Sequence, residues 1–170
     1  MAKPQPRPLL LTTEPLPLHI TITDGEGTGW VGLLYLRPRE AAWTPKAARV
    51  QLPDSWRNTW QQNKAVDINE IEAASAPIAL ATWPTLTDGL WLHFTDNTGA
   101  ETTLARGASR ASGMNTIAGW VAQTCADRAL HLWVDRAATG DNPTDGLSRG
   151  DYQNHGEAWD FAEAMLPDLF

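Results

Sequence analysis

Cysteine is nearly absent from this chain, which contains only Cys125 and no cluster of cysteine and histidine residues. A single cysteine excludes an internal disulfide and is typical of a reducing compartment. No apolar run is long enough to cross a membrane, and the opening residues, MAKPQPRPLL, lack the apolar stretch of a signal peptide. We therefore expect an intracellular protein, cytoplasmic or nuclear, that binds neither zinc nor a membrane.

Positive charge is also scarce. The chain has 13 lysines and arginines against 20 aspartates and glutamates, which gives a net charge of −7. This balance excludes a free-standing, strongly basic nucleic-acid-binding protein. No lysine or arginine follows Arg149, whereas five acidic residues do. That acidic end is either a solvated face or a docking surface.

The length and apolar content are those of one ordinary domain. The 170 residues are 42% hydrophobic, which is enough for a single core. The nine tryptophans are explained most simply by packing in that core. Residues 1–17 contain five prolines and are predicted to be an extended lead-in or linker, so the domain is expected to span residues 18–170.

The segment from residue 18 to residue 36 is predicted to form a hairpin. Leu18, Ile20 and Ile22 alternate with polar residues, which is the period of a strand with one buried face. Asp24 continues the apolar row, so we expect that row to face the core and to end in a carboxylate. The turn matches GxGxxG literally, but a β-rich run follows instead of the helix that a dinucleotide site requires, and we reject that interpretation.

A second strand repeats this pattern. Leu90, Leu92 and Phe94 form an apolar row that Asp96 continues. Either aspartate alone would be an ordinary strand end that begins a turn. Between the two strands, Glu72 lies within a predicted helix in a run of alanine and isoleucine, although a solvated position is usual for a helical glutamate. The coincidence of the three acids favours a functional site.

The remaining elements are predicted from shorter signals. Asp67-Ile-Asn-Glu70 is a capping box that indicates a helix start at Asp67, and Pro77 is expected to bend that helix or limit its regular part. Further predictions are a strand at 49–52, a loop or short helical turn at 53–64, a helix at 98–105, a strand at 129–134 and an amphipathic helix near 157–166. A second long helix is expected to bury one stripe: Met114, Ile117, Ala118, Val121 and Cys125.

Four short blocks resemble those of the ribonuclease H family. They are Asp24-x-x-x-Thr28-Gly29-Trp30, Ile68-Asn69-x-x-Glu72, Thr95-Asp96-Asn97 and Asn142-Pro143-Thr144-Asp145-x-Leu147-Ser148-Arg149. Each block alone is a weak signal, but the four occur in the family's order with the family's intervening elements. The last block is most similar to that of the ribonuclease H domains that follow reverse transcriptases in pararetroviruses and some retrotransposons.

The resemblance implies both a fold and a chemistry. The fold would be α/β, with a mixed five-stranded sheet in which three antiparallel strands precede strands that alternate with helices, flanked by helices. Asp24, Glu72, Asp96 and Asp145 would be the catalytic carboxylates and would hold two Mg²⁺ or Mn²⁺ ions. Two such ions about 4 Å apart activate water and stabilise the leaving oxygen when a phosphodiester is hydrolysed, and oxygen ligands suit them.

The implied substrate is an RNA–DNA hybrid, of which the RNA strand is cut. The candidate substrate-binding residues are Asn97, Arg106, Ser109, Arg110 and Asn142. The loop around Arg106 and Arg110 has the charges and hydroxyls to contact phosphate. A plain connector is an equally good interpretation of that loop.

Two departures from the family pattern affect the prediction. The loop at 136–142 contains no histidine, where many cellular members have one, and neither His131 nor His155 fits that position. The arginines are scattered rather than gathered in a basic cluster. We therefore predict weak intrinsic binding of the hybrid, with a polymerase domain or another partner supplying the remaining affinity.

Two alternative hypotheses remain open from the sequence. A non-catalytic ribonuclease H-like module for protein assembly or duplex binding is favoured by the acidic charge and the absent loop histidine, and disfavoured by the four carboxylates. Another nuclease of the same superfold, a resolvase or a DEDD-type exonuclease, is disfavoured by the block that ends in Arg149.

Overall fold

The computed structural model describes residues 15–61, 67–151 and 159–169. Within them, a single six-stranded sheet has the order β5-β4-β1-β2-β3-β6. The strands are β1 (Leu18–Gly25), β2 (Trp30–Leu36), β3 (Lys46–Gln51), β4 (Gly89–Thr95), β5 (Leu130–Arg136) and β6 (Asp160–Phe161). The helices are α1 (Asp54–Gln61), α2 (Ile68–Thr82), α3 (Thr98–Arg106), α4 (Ser112–Asp127) and the single turn α5 (Asp145–Ser148).

The predicted fold class is confirmed. Strands β1, β2 and β3 form an antiparallel meander, and β4 and β5 extend the sheet in parallel beside β1. Helix α2 packs on β1 and β2, and α4 packs on α2 and β5. The sixth strand, β6, is a two-residue addition parallel to β3 at the other edge of the sheet.

The main core lies between the sheet and the helices. Strand β2 contributes Val31, Leu33 and Tyr35 to it, and all three side chains are fully buried. The stripe predicted for the second long helix is confirmed, since the same five residues of α4 are buried. A smaller cluster lies on the other face of the sheet, where Leu147 of α5 packs against Leu34.

The two faces of β1 and β4 are the reverse of the prediction. His19, Thr21 and Thr23 are fully buried on the face that the helices cover, whereas the apolar residues between them are only half-buried on the other face. Strand β4 shows the same reversal, since Trp91 and His93 are fully buried while Leu90, Leu92 and Phe94 are half-buried. Alternation shows that a strand has two unlike faces, but not which face the helices cover.

The buried polar row of β1 is satisfied by hydrogen bonds within the core, whereas Nε2 of His93 on β4 has no partner among the described residues. Thr21 Oγ1 accepts a hydrogen bond from Trp91 Nε1 at 2.8 Å and lies 2.8 Å from His93 Nδ1. The ring nitrogens of His19 lie 2.8 Å from the Tyr35 hydroxyl and 2.9 Å from the Thr87 carbonyl. Burial of polar groups is tolerated when they are paired in this way.

Asp67 is the N-cap residue of α2, as predicted, but the predicted hydrogen bond from its side chain to the helix is wrong. Asp67 makes no capping hydrogen bond through its side chain; its carboxylate instead accepts one from Arg57 Nε at 3.1 Å. The helix continues through Pro77 to Thr82, so Pro77 does not limit its regular part. Packing of α2 on the sheet offsets the hydrogen bond that proline removes.

The predicted C-terminal helix near 157–166 is wrong over residues 159–166; residues 157 and 158 lie outside the described ranges. The Asp160 N–H donates to the Pro45 carbonyl at 2.9 Å, and the Ala162 N–H donates to the Ala47 carbonyl at 2.8 Å. The exposed edge of β3 therefore supplies the backbone partners that a helix would have supplied. Trp159, Ala162 and Leu166 do not share a helical face.

Of the predicted lead-in, residues 1–14 lie outside the described ranges. The carbonyls of Leu16 and Pro17 accept hydrogen bonds from Arg39 Nη1 at 2.6 Å and the Leu90 N–H at 2.9 Å. Among the described residues, no helix combines the length and apolar character needed to span a bilayer. Within the segment 53–64, predicted as a loop or short helical turn, residues 54–61 form the two-turn helix α1.

Candidate metal centre

Two of the candidate carboxylates lie together because their strands are parallel neighbours. Ile22 of β1 pairs with Phe94 of β4, so Asp24 and Asp96 follow at the same edge of the sheet. Asp24 is only 5% exposed, while Asp96 is half-buried. Parallel pairing of β1 and β4 thus brings together two acids that are 72 positions apart in sequence.

Glu72 reaches this edge from α2. It is 3% exposed, and the Thr95 hydroxyl donates to its Oε2 at 3.3 Å. Helix α2 approaches closely at Gly25, where a Cβ would lie 3.1 Å from Glu72 Cδ and 3.0 Å from Ile71 Cγ2. Glycine at position 25 therefore leaves the space that the glutamate occupies.

The three carboxylates form one group. A single oxygen from each of Asp24, Glu72 and Asp96 lies within 4.8 Å of the other two. Such an all-oxygen donor set suits hard divalent cations such as Mg²⁺ and Mn²⁺. The donors therefore fit the kind of ion that the sequence led us to expect.

Asp145 lies at the rim of the same group. It is the first residue of α5, and Arg149 Nη2 lies 2.8 Å from its Oδ1. Among the described residues, the cluster of mutually close acids contains Asp24, Glu72 and Asp96 but not Asp145. Asp145 nevertheless lines the same cavity and is close enough to raise the pKa of Asp24.

Burial and mutual repulsion both act on these acids. Burial, with the nearby charges of Asp24 and Asp96, raises the pKa of Glu72 to about 8, despite hydrogen bonds from the Gly25 N–H and Thr95 that oppose the shift. Burial also raises the pKa of Asp24, and the hydrogen bond from Ser148 opposes that rise. A bound cation would favour the ionised form of both groups.

The residues around Asp145 connect the last of the four blocks to the sheet through hydrogen bonds and a close backbone contact. Asn142 Nδ2 donates to the Thr23 carbonyl at 3.0 Å, and Asn142 Oδ1 accepts from the Thr144 N–H at 3.0 Å. The turn lies directly on Gly32, where a Cβ would stand 2.8 Å from the Ser148 backbone nitrogen. These contacts set the position of Asp145 relative to β1.

Two polar contacts near the site join residues from different parts of the chain. The Ser148 hydroxyl donates to Asp24 Oδ2, and Arg49 of β3 donates to the Ser148 carbonyl through Nε at 3.2 Å and Nη2 at 3.0 Å. Ser148 belongs to the last of the four blocks but was not predicted to be a site residue, and Arg49 lies outside all four blocks. Arg49 reaches the site because it pairs with Gly32 across β2 and β3, so only the pairing of these strands could have identified it.

The carboxylates open into one cavity of about 760 Å³. Its lining includes the four candidate acids, together with Glu26, Thr28, Trp30, Arg49, Ile68, Asn97, Thr139, Ser148 and Arg149. Asn97 caps α3 by accepting from the Ala100 N–H at 2.8 Å, and its Nδ2 donates to Asn69 Oδ1 at 3.0 Å.

The other candidate substrate-binding residues lie away from this lining. Arg106 and Arg110 are exposed on the segment between α3 and α4. Ser109 Oγ accepts from the Ala111 N–H at 3.3 Å, just before α4. Asn142 is 7% exposed and makes the internal hydrogen bonds described above.

Comparison with known proteins bears on the fold. No family model matches the sequence, and no curated protein matches it. Among solved structures, the chain is similar to ribonuclease H1 from the halophilic archaeon Halobacterium salinarum, with a TM-score of 0.50 and 11% identity over 74% of this chain and 88% of that one. The chain therefore has a ribonuclease H-like fold, as the four blocks led us to expect.

Proposed function

We propose that this protein is a metal-dependent endoribonuclease that hydrolyses the RNA strand of RNA–DNA hybrids. The observation that carries the proposal is the convergence of Asp24, Glu72 and Asp96, whose oxygens come from three separate parts of the chain and lie within 4.8 Å of one another. The likeness of the fold to an archaeal ribonuclease H1 supports a nuclease over other uses of an acidic cluster.

The proposed catalytic residues are Asp24, Glu72, Asp96 and Asp145. The first three would hold one divalent cation, Mg²⁺ or Mn²⁺, and Asp145 would join Asp24 in holding a second. When bound, such ions supply an activated water and offset the charge that builds on the phosphate oxygens. The two-ion arrangement belongs to the proposal, as do the roles of the four residues.

Hydrogen bonds within the chain orient two of the proposed ligands. The Gly25 N–H and the Thr95 hydroxyl orient Glu72, and the Ser148 hydroxyl orients Asp24. Because the carboxylates are held close together before any ligand arrives, little side-chain entropy is lost when they bind a cation. Without a cation, their charge repels a phosphodiester.

Substrate contacts are proposed for three residues that have free access to solvent or to the cavity. Asn97 lines the cavity beside Asp96, and Arg106 and Arg110 are exposed, where they would meet backbone phosphates. Asn142 would support the site through the internal hydrogen bond that it already makes to β1, and Ser109 would stabilise the loop that carries Arg106 and Arg110.

The finer assignment is to the reverse-transcriptase-associated type of ribonuclease H, of retroelement origin. It rests on the block from Asn142 to Arg149. Residues 1–17 would then be a linker to a preceding domain, and residues 18–170 the ribonuclease H-like domain. A polymerase domain or another protein would supply part of the affinity for the hybrid, because the net charge of −7 opposes nucleic-acid binding.

The second candidate is a non-catalytic ribonuclease H-like module that acts in assembly or duplex binding. The loop before Asp145 contains no histidine, and the overall charge is acidic. Calorimetry that detects no Mn²⁺ binding, together with a stable protein partner, would select this candidate.

The test is cleavage of a labelled RNA–DNA hybrid beside single-stranded RNA and duplex DNA, in Mg²⁺ and in Mn²⁺. We expect internal cuts in the RNA of the hybrid only. Failure to cut the hybrid with either metal, at high protein concentration, would overturn the proposal. Cleavage of DNA, or products that depend on a free end, would indicate another nuclease of this superfold.

A further inference from the structure

Arg49 of β3 lies outside the four blocks and yet contacts the turn that carries Asp145. Its guanidinium carbon lies 3.5 Å from the centroid of the Trp30 indole, so the two planes form a cation–π contact. Nε and Nη2 both donate to the Ser148 carbonyl. The arginine is therefore held on one side by an aromatic ring and on the other by the end of α5.

Ser148 connects Arg49 to the carboxylate group, because it contacts both. Its side chain is fully buried, and its hydroxyl donates to Asp24 Oδ2. Its backbone N–H donates to the Thr144 carbonyl at 2.9 Å, and its backbone lies on Gly32. A displacement of this turn would therefore move the hydroxyl that holds Asp24.

We propose that Arg49 and Ser148 act together as positioning residues, which fix the Asp24 carboxylate and α5 in the arrangement that binds a divalent cation. The inference rests on the proposed function, since it concerns the same carboxylates. Neither residue is assigned a contact with substrate.

The chemistry of each residue suits this task. A carboxylate with one oxygen engaged by a hydroxyl keeps a defined orientation, and partners of this kind are worth about 10–100-fold in metal affinity. A guanidinium has a planar array of donors, so it can direct two of them at one carbonyl while stacking on an indole. A lysine at position 49 keeps the charge but loses the second donor and the stacking.

Mn²⁺ binding to the full chain, measured by calorimetry, tests the proposal. Ser148→Ala and Arg49→Lys are each expected to weaken Mn²⁺ binding by about 10-fold or more. The double variant is expected to lose less than the product of the two single losses, because both residues act through one turn. Ser148→Ala removes a single oxygen atom and is decisive by itself if Arg49→Lys does not fold.

The chain offers a matched control for each variant. Arg128 also donates to backbone carbonyls, those of Leu80 at 2.8 Å and Leu86 at 3.4 Å, at the opposite end of the sheet. Thr82 at the end of α2 has a buried hydroxyl that accepts from the Met165 N–H at 3.0 Å. Arg128→Lys and Thr82→Val should lower the melting temperature about as much as Arg49→Lys and Ser148→Ala do. Unlike those variants, they should leave the Mn²⁺ affinity unchanged.

Hybrid cleavage separates positioning from substrate contact. If Arg49 positions the carboxylates, Arg49→Lys lowers activity at limiting Mn²⁺, saturating Mn²⁺ restores kcat, and KM for the hybrid stays near the wild-type value. A raised KM with an unchanged Mn²⁺ affinity would show that Arg49 contacts phosphate instead, and would overturn the inference.

Failure of the inference is distinguishable from failure of the proposed function. Wild-type protein that binds Mn²⁺ and cuts the hybrid, with both variants binding Mn²⁺ within about twofold of wild type, would overturn only the positioning roles. Wild-type protein that binds no Mn²⁺ would overturn the proposed metal centre, and the positioning roles with it.

Discussion

Glu72 reaches the candidate metal centre directly over Gly25, at a point where a Cβ would stand only 3.1 Å from the glutamate Cδ and 3.3 Å from its Cα. The contact joins the last residue of β1 to the second turn of α2. The geometry of the acidic group therefore depends on a residue that has no side chain.

Gly25→Ala is expected to push Glu72 away from Asp24. Overpacking of this kind costs about 1–3 kcal/mol of stability, and the displaced ligand should weaken Mn²⁺ binding by about 10-fold or more. Gly27→Ala, in the turn that follows β1, is the matched control, because no heavy atom lies within 4 Å of its Cβ position. Equal Mn²⁺ affinities for the two variants by calorimetry would contradict this account.

The metal-free protein should become less stable as pH rises through the range in which Glu72 ionises. The folded-state pKa of Glu72 is raised from 4.5 to about 8. Between these pH values the folded protein keeps a proton that the unfolded chain has released, so the free energy of unfolding falls as pH rises. The loss of unfolding free energy would be on the order of a few kcal/mol. Urea denaturation in EDTA should show a flatter pH profile for Glu72→Gln than for wild type.

Glu101→Gln, in α3, is the control for that experiment and should keep the wild-type trend. Parallel profiles for wild type and Glu72→Gln would show that the burial and repulsion at Glu72 do not act as described. Added Mn²⁺ should stabilise the wild type at the upper end of this range by mass action, and should stabilise Glu72→Gln less.

His93 should lower the free energy of unfolding as pH falls, which is the opposite of the trend expected from Glu72. Burial lowers its pKa from 6.5 to about 3, and its Nε2 has no hydrogen-bond partner among the described residues. The unfolded chain therefore binds the extra proton as pH falls from 6.5 towards 3, and stability is lost over that range. His93→Gln, which does not titrate, should reduce the slope of unfolding free energy against pH; an unchanged slope would contradict the assignment.

Arg57 should control the order of the β1–β2 turn at the mouth of the cavity. It donates to the carbonyls of Thr28 at 3.0 Å and Gly27 at 3.2 Å, and its Nε donates to Asp67 at 3.1 Å. Arg57→Gln should speed amide hydrogen exchange in the turn, while Arg106→Gln, a change of an exposed arginine, should not. Unchanged exchange in Arg57→Gln would show that the turn is ordered without this contact.

The sequence predicted the fold class and the meeting of two aspartates for a physical reason that holds in the structure. Asp24 lies at the end of β1 and Asp96 directly follows β4, and parallel neighbouring strands end at the same edge. Glu72 was recognisable only in combination with the two aspartates, because a single glutamate on a helix is usually solvated. The stripe of α4 follows directly from helical periodicity.

Other features depend on contacts that local patterns do not encode. The polar face of β1 is the buried one because His19, Thr21 and Thr23 pair with groups on β2, β4 and α2. The C-terminal segment forms β6 because the edge of β3 is available. Arg49 lies next to the site only because β2 and β3 pair side by side. No local pattern in the sequence distinguishes it from a surface arginine.

The rate at which Asp24→Asn and Asp96→Asn cleave the hybrid in Mn²⁺ decides whether the acidic group makes the protein a metal-dependent ribonuclease. Each variant removes a ligand charge and should lose more than about 100-fold of the wild-type rate, since even the outer partners of metal ligands are worth about 10–100-fold. Asp127→Asn, at the exposed end of α4, should retain the wild-type rate. Cleavage at the wild-type rate by either of the first two variants would show that the acidic group is not the catalytic centre.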